Sequence, residues 1–499
     1  MSDAARQPEA QPHARTQSQL EAALRLPIAQ MPARLHLPLP PVVKPCTRVI
    51  ITPPGSKSLS NRALLLAALA RGESELRGAL LDADDAQRML AALSTLGATI
   101  NASDPRCVRV TGVDGTWRTT GEVTLNLNNA GTATRFLAGC ATLAQHAITI
   151  DGNARMRERP IGELAEVLRQ LGCEVSFALR DGYPPMRIEP APLNATRREL
   201  TIGTTQSSQF ISAVLLAAAF LPGGIMLRST GTLTSESYVR MSLGLLARLG
   251  ASVQCSEDLR VIRVRGVIDR EVRSTIAPCG MPAFKYDIEP DASGATYAWA
   301  AATLLPGVTC ETPGLGKRSL QGDASFPDLL ARMGAEVDRT TNDAGDDLTT
   351  VTGPAELSPI LADLSDMPDA AMTLASVACF AKGTSVLHGL RTLRVKETDR
   401  VEAVRAELSK LGVRVDVGAQ GDPDALTITP PAGGFDCSPA APVVEFATYD
   451  DHRMAMALSL IALRRPNVVI AEPQCVAKTY VGYWADFAKW WGEGERVSG

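Results

Sequence analysis

Residues 89–100 read MLAALSTLGATI, an amphipathic helix that ends at Leu96-Gly97 and turns at once into an alternating strand. A helix feeding straight into a strand needs a left-handed residue after its last turn, which glycine supplies without steric cost. The pattern returns as VLRQLGCEVSF around Gly172, GLLARLGASVQC around Gly250, LLARMGAEVDR around Gly334 and LSKLGVRVDV around Gly412, with a weaker copy, ADFAKWWG, ending at Gly492. The glycines are 75, 78, 84, 78 and 80 residues apart. A constant period of this size means one structural unit repeated six times.

A second helix class interleaves with the first. NRALLLAALA, TATRFLAGCATLA, SSQFISAVLLAAAFL, ASGATYAWAAATLL, DAAMTLASVACFA and HRMAMALSLIAL begin near Ser60, Thr132, Ser208, Ser293, Asp369 and Asp451. They are apolar nearly all round, so they must be buried on every side. Each unit therefore carries one buried helix, one solvent-facing helix and strands between them. One unit is too small to bury its own apolar helix. Three units, roughly 230 residues, make a domain that a single core can sustain. The expected class is α/β, with two domains of three units each.

Composition narrows the partners. With 45% hydrophobic and 21% charged residues and a formal charge of −4, the chain has a globular balance and no basic surface for nucleic acid or anionic membrane. Its longest apolar stretches are too short to span a bilayer. Ten cysteines occur singly from Cys46 to Cys475, and the five histidines never fall at metal-ligand spacing, so a reduced, cytoplasmic, metal-free protein is expected. Residues 1–45 carry eight prolines among Gln, Ala and scattered Arg, which predicts a mostly disordered tail. An organellar import segment is the rival reading, and Asp3, Glu9 and Glu21 speak against it.

The chemistry sits at the starts of the buried helices, where four backbone N–H groups lack partners and anions are favoured. Ser56-Lys57-Ser58, Asn129 to Arg135, Ser207-Ser208-Gln209 and Asp450 to Arg453 all dress such a start. Each has a bland reading. Gly55-Ser56-Lys57-Ser58 is not a phosphate-binding P-loop, since Ser56 stands where that motif needs glycine, and it reads equally as an N-cap with a solvated lysine. Asn129-Ala-Gly131-Thr132 is a glycine turn before a helix, and Asp369 an N-cap. Arg155-Met-Arg157-Glu158-Arg159 is three arginines that a solvated loop would also explain. Lys396 and Arg400 in Arg394-Val-Lys396-Glu397-Thr-Asp399-Arg400 repel one another at i,i+4 spacing, a crowding that an anionic ligand would relieve. Recurrence at the same place in repeat after repeat favours function.

GSKSLSNRALLLAALA (55–70), NAGTATRFL (129–137), RMRERPIGEL (155–164), SSQFISAVLL (207–216), PDAAMT (368–373), RVKETDR (394–400), YDDHRMAMALSL (449–460) and AKTY (477–480) together resemble the enolpyruvylshikimate-phosphate synthase family, over residues 47–490. The resemblance implies the enolpyruvyl-transferase fold, an inside-out α/β barrel in each of two domains built from βαβαββ units. It implies a shikimate-phosphate-side domain over 54–280 and a second domain of 46–53 plus 281–499. The chain would recross near 278–286, with the active site in the cleft between. The implied reaction moves the enolpyruvyl group of phosphoenolpyruvate to the 5-hydroxyl of shikimate 3-phosphate and releases phosphate, on the route to chorismate and the aromatic amino acids. It requires no cofactor, and the implied protein is a cytoplasmic monomer acting on small molecules.

By the same resemblance, Lys57, Ser58, Arg62, Ser207, Ser208, Gln209, Ser235, Tyr238, Asp369, Thr392 and Lys396 would hold shikimate phosphate. Lys57, Asn129, Gly131, Arg159, Gln209, Arg400, His452, Arg453 and Lys478 would gather around phosphoenolpyruvate. Interleaved Arg and Lys let two multiply charged anions sit side by side. The hydroxyl must lose a proton while the enol methylene gains one, so Asp369 is expected as base and Glu397 as proton donor, with Lys57 assisting. Glyphosate would share the phosphoenolpyruvate site, where Gly131 leaves it room. Two departures from the family pattern are Thr392, where Asn is common, and Phe136, where many members have Pro. The nearest alternative is a UDP-N-acetylglucosamine enolpyruvyl transferase of the same fold, but the cysteine those enzymes use is missing from GNARMRERP (152–160). An inactive binding protein, or one fragment of a multi-enzyme, is the alternative of a different class.

Overall fold

All six apolar segments are helices: Lys57–Leu69, Gly131–Cys140, Ser208–Ala218, Ala292–Leu304, Ala371–Ala378 and His452–Ser459. The computed structural model describes residues 16–42, 46–191, 198–266, 280–341, 345–419 and 421–492. Every residue from Leu59 to Leu69 is buried, as is all of Ala292–Leu304, because these helices have no polar face to turn to water. The outer helices, such as Asp84–Thr95 and Glu236–Arg248, bury one side only. Gly97, Gly172, Gly250, Gly334 and Gly412 all have φ between 76° and 110°, the left-handed turn the repeat demanded.

Each unit contributes one small sheet. In the second unit, Val123–Asn126, Ile148–Asp151, Met186–Glu189 and Glu174–Phe177 lie side by side in that order. The first pair is parallel and the other two antiparallel. Four further sheets repeat this order and these directions. The six sheets among the described residues are separate and wrap the buried helices, three to each of two hydrophobic cores. One core runs from Leu59 to Ile288. The other joins residues between Leu24 and Ile51 to residues between Ala292 and Trp490.

The two crossings run side by side, with Ser56 N–H bonded to Glu289 O and Asp291 N–H to Pro54 O, both 2.8 Å. Gly55 lies against Gly78 so closely that a Cβ would overlap the Gly78 carbonyl oxygen. The return crossing falls later than expected. Lys285–Asp287 pairs in parallel with Glu73–Arg77 and completes the first unit's sheet, so the chain leaves that core only after Ile288. Residues 278 and 279 of the expected crossing lie outside the described residues.

The tail is the larger correction. Residues 16–42 are not disordered: Gln17–Ala23 is a helix with a capping box at Thr16, and Arg34–His36 is a strand antiparallel to Val468–Ala471. That strand takes the place of the antiparallel strand that the sixth unit lacks, beside the parallel pair Val444–Phe446 and Val468–Ala471. Leu24, Leu35 and Leu37 are buried in the second core, and Trp491 Nε1–H donates to Leu39 O at 2.6 Å. An open sheet edge and an aromatic outer helix with buried Tyr483, Trp484 and Phe487 give the tail apolar surface to cover. The rest of the tail, 1–15 and 43–45, lies outside the described residues.

Candidate active site

The starts of buried helices from both cores open on one cavity of about 920 Å³, part of it continuous with solvent. Of the residues singled out in the sequence, Lys57, Ser58, Arg62, Gly131, Arg159, Ser207, Ser208, Gln209, Ser235, Tyr238, Asp369, Thr392, Lys396, Glu397, Arg400 and Arg453 line it. Asn129 and Lys478 stand immediately behind, Asn129 Oδ1 accepting from Arg159 at 3.0 Å and Lys478 Nζ reaching Glu397 at 3.0 Å. His452 does not line the cavity. It is wholly buried, neither ring nitrogen has a hydrogen-bond partner among the described residues, and burial beside Lys57 and Arg453 holds it neutral, well below its ordinary pKa.

On the side of the first core the cations that line the cavity rest on neutral groups. Arg62 donates to Ser242 Oγ (2.8 Å), Ser58 O (2.9 Å), Tyr238 O (3.1 Å) and Ser212 Oγ (3.3 Å), and its guanidinium sits 4.9 Å from the centre of the Phe136 ring. Burial pulls its pKa down to about 10. Arg135 donates to Pro160 O at 3.0 Å, and Arg159 to Asn129. Burial lowers both. Lys57 is the exception, 3.3 Å from Asp85. Gly131 lets the Arg159 guanidinium lie close against the backbone, since a Cβ there would stand 2.5 Å from it and push it aside.

On the side of the second core the cations are paired with acids. Asp369 is held by Arg400 and Arg453, each at 3.0 Å, by Lys396 at 3.5 Å, and through Tyr238 O–H at 3.4 Å. Burial alone would raise this carboxyl, but Arg453, Lys396 and Arg400 outweigh it and hold it well below the usual range. Glu397 meets Arg400 and Lys478 at 3.0 Å each. Burial pushes it up as well, and Lys478, Arg400 and Arg159 bring it well below. Asp451, the N-cap of the last buried helix, also takes Arg400 in a bidentate pair at 2.7 and 3.1 Å.

Sequence reading missed Asp85, a buried acid in the cavity wall with one oxygen unpartnered among the described residues. Its one signal was being the second acid of Asp84-Asp85 at a helix start. Asp323 was missed as well, a buried acid that takes a hydrogen bond from Ser293 and that burial raises to about 6. The arginines of 155–159 separate into three fates. Arg157 pairs with Asp151 at the surface, Arg159 enters the cavity, and Arg155 reaches across the cleft.

The chain matches the family model for EPSP synthase, 3-phosphoshikimate 1-carboxyvinyltransferase, over residues 46–487. It is 40% identical over 450 residues to the 3-phosphoshikimate 1-carboxyvinyltransferase of Cronobacter sakazakii, covering 90% of this chain and 97% of that protein. The enzyme of the same name from a Sulfurovum species is 41% identical over 431 residues, 86% of this chain and 93% of that protein. Among solved structures, an EPSP synthase of Acinetobacter baumannii superposes with a TM-score of 0.70 at 23% identity, covering 90% of this chain and 97% of that one. The likeness in fold thus agrees with the likeness in sequence. The nucleotide-sugar alternative is not supported, and the chain belongs to the EPSP synthase (3-phosphoshikimate 1-carboxyvinyltransferase) family.

Proposed function

We propose that this cleft transfers the enolpyruvyl group of phosphoenolpyruvate to the 5-hydroxyl of shikimate 3-phosphate, with the roles divided between two domains, 54–288 and a second one formed by 16–53 with 289–492. Arg62, Ser58, Ser207, Ser208, Ser235 and Tyr238 receive shikimate phosphate. Their side already presents a buried guanidinium and hydroxyls, with no carboxylate among the described residues within ion-pair distance of Arg62. Arg159, Arg400, Arg453 and Lys478 receive phosphoenolpyruvate against Gly131, where backbone and ligand can approach closely.

The observation that carries the mechanism is the pairing of Asp369 and Glu397 with the same cations that the substrates need. A phosphate or carboxylate entering the cleft competes for Arg400, Arg453 and Lys478. A carboxylate that yields its cation while still buried rises in pKa. Glu397 can then carry a proton to the enol methylene as the hydroxyl, losing its proton to Asp369, bonds to the adjacent carbon. The product is again an enol ether, so the methyl group formed must give a proton back as phosphate leaves. A carboxylate beside it serves as acceptor, by microscopic reversibility.

The test is phosphate release from phosphoenolpyruvate with shikimate 3-phosphate, with UDP-N-acetylglucosamine as control acceptor. Release with the shikimate ester alone is expected. Release only with the nucleotide sugar, or with neither, refutes the reading. Among the described residues no helix is long and apolar enough to cross a membrane. We take the working form to be a cytoplasmic monomer.

A further inference from the structure

Arg155 has no part in the roles above, and it bridges the two sides of the cleft at the segment that carries Glu397. Its Nε–H donates to Glu397 O at 3.1 Å and its Nη2–H to Lys396 O at 3.0 Å, while Nη1 pairs with Glu158 at 2.9 Å. It projects from the turn before the short helix Met156–Glu158, on the first core's side, and the buried arginine of that turn, Arg159, lines the cavity. The carbonyls it grips belong to the irregular link between the short helix Arg391–Val395 and the helix Arg400–Ser409. That link has no ladder of its own to fix it, and it bears both Lys396, which faces Asp369, and Glu397.

We propose that Arg155 is a positioning residue that clamps the Lys396–Glu397 link when the two sides meet, so that Glu397 stands at the proton-transfer position only in the closed cleft. This rests on the reading of Glu397 as proton donor. A guanidinium can hold two consecutive carbonyls at once, whereas an ammonium on a flexible stem holds one at a time. The groups that face the Glu397 carboxylate come from other elements: Lys478 from the short helix Pro473–Lys478, Arg400 from the helix that follows, Arg159 from the same turn as Arg155, and neutral His452 from the last buried helix. Arg155 touches only the backbone there. It therefore sets the position of the acid and leaves its ion pairs unchanged. While the cleft is open to water the clamp is unmade, so Glu397 is out of place and phosphoenolpyruvate is not protonated.

The experiment compares Arg155→Ala, Arg155→Lys and Glu397→Gln in the full chain, measuring kcat, KM for both substrates, shikimate 3-phosphate affinity by calorimetry, and the solvent deuterium isotope effect on kcat. For Arg155→Ala, kcat falls ~10- to ~100-fold, the scale of a misplaced reacting group, and shikimate 3-phosphate affinity stays within about threefold. The solvent isotope effect rises as proton transfer becomes limiting. Arg155→Lys recovers part of kcat, and it carries the test should the alanine variant fold poorly. Adding Arg155→Ala to Glu397→Gln costs nothing further. An Arg155→Ala enzyme with normal kcat and isotope effect, or a loss confined to KM, overturns the proposal. If Glu397→Gln is inactive in that case, the reading of Glu397 still stands. An active Glu397→Gln overturns both.

Discussion

The two walls of the cleft hold their buried cations in opposite ways. Arg62, Arg135 and Arg159, on the first core's side, lean on hydroxyls, amide oxygens and an aromatic ring, and burial lowers the pKa of all three. Arg400, Arg453 and Lys478, on the other side, are paired with Asp369, Glu397 and Asp451, and those carboxylates more than offset burial, so all three are raised. Lys396 and Lys57 are exceptions: burial outweighs Asp369 at Lys396, and Lys57 pairs with Asp85. An unneutralised buried cation is a standing anion hole that costs stability. A neutralised one is structural until a ligand competes for it. The first wall is therefore built for binding, and the second for binding coupled to proton movement.

The sharpest way to break this contrast is to remove the acids. Asp369→Asn and Glu397→Gln should each lower turnover by at least ~100-fold, the loss expected for a general base or acid. Calorimetry should still detect shikimate 3-phosphate binding, since the first wall is untouched. Turnover near that of the wild type in either variant takes that carboxylate out of the mechanism.

Gly131→Ala probes the first wall where it meets phosphoenolpyruvate. Its Cβ would press on the buried Arg159 guanidinium and push it toward the cavity where phosphoenolpyruvate is read to bind. We expect glyphosate to compete with phosphoenolpyruvate, and the alanine variant to lose inhibitor affinity by about 1–3 kcal/mol, more than it loses substrate affinity. Phe136, in the same helix, sets its ring 4.9 Å from the Arg62 guanidinium. Equal inhibition constants for wild type and variant show that Gly131 does not set the space.

The smallest effect concerns Asp323, behind the second wall. Its folded pKa, about 6, lies above the ordinary carboxylate value because burial disfavours the charge. The folded protein thus binds a proton there that the unfolded chain has released, and stability falls as pH rises from about 4 through about 6. Asp323→Asn should unfold at the same temperature as wild type near pH 4 and at a higher one at pH 8. Parallel pH curves for the two proteins refute this.

Much of the fold was legible because apolar helices and turn glycines leave a periodic trace. The sixth unit was faint for a physical reason. Gly492 has φ −77°, not a left-handed turn, and the strand its sheet needs comes from Arg34–His36, far away in sequence. The alternation of Leu35 and Leu37 with polar residues carried that signal under a proline-rich composition. In the site, helix-start residues were readable because their position gives them a role. Arg155, Arg157 and Arg159 could not be told apart, since a shift of two residues in a tight turn decides whether a guanidinium meets solvent, cleft or the facing wall. Asp85 was hidden because its partner Lys57 is 28 residues away.

The difference between the walls is tested most directly by the urea unfolding midpoints of Arg62→Met and Arg400→Met at pH 7. Arg400→Met strands Asp369, Glu397 and Asp451 without their shared cation and should cost about 3–5 kcal/mol, as when one partner of a buried ion pair is removed. Arg62→Met relieves a buried charge while its serine partners, Ser212 and Ser242, bond to each other at 2.9 Å. It should stay within about 1 kcal/mol of wild type, with shikimate 3-phosphate binding lost. Equal destabilisation of the two variants, or a greater cost at Arg62, would contradict the division of the cleft into an uncompensated wall and a self-neutralised one.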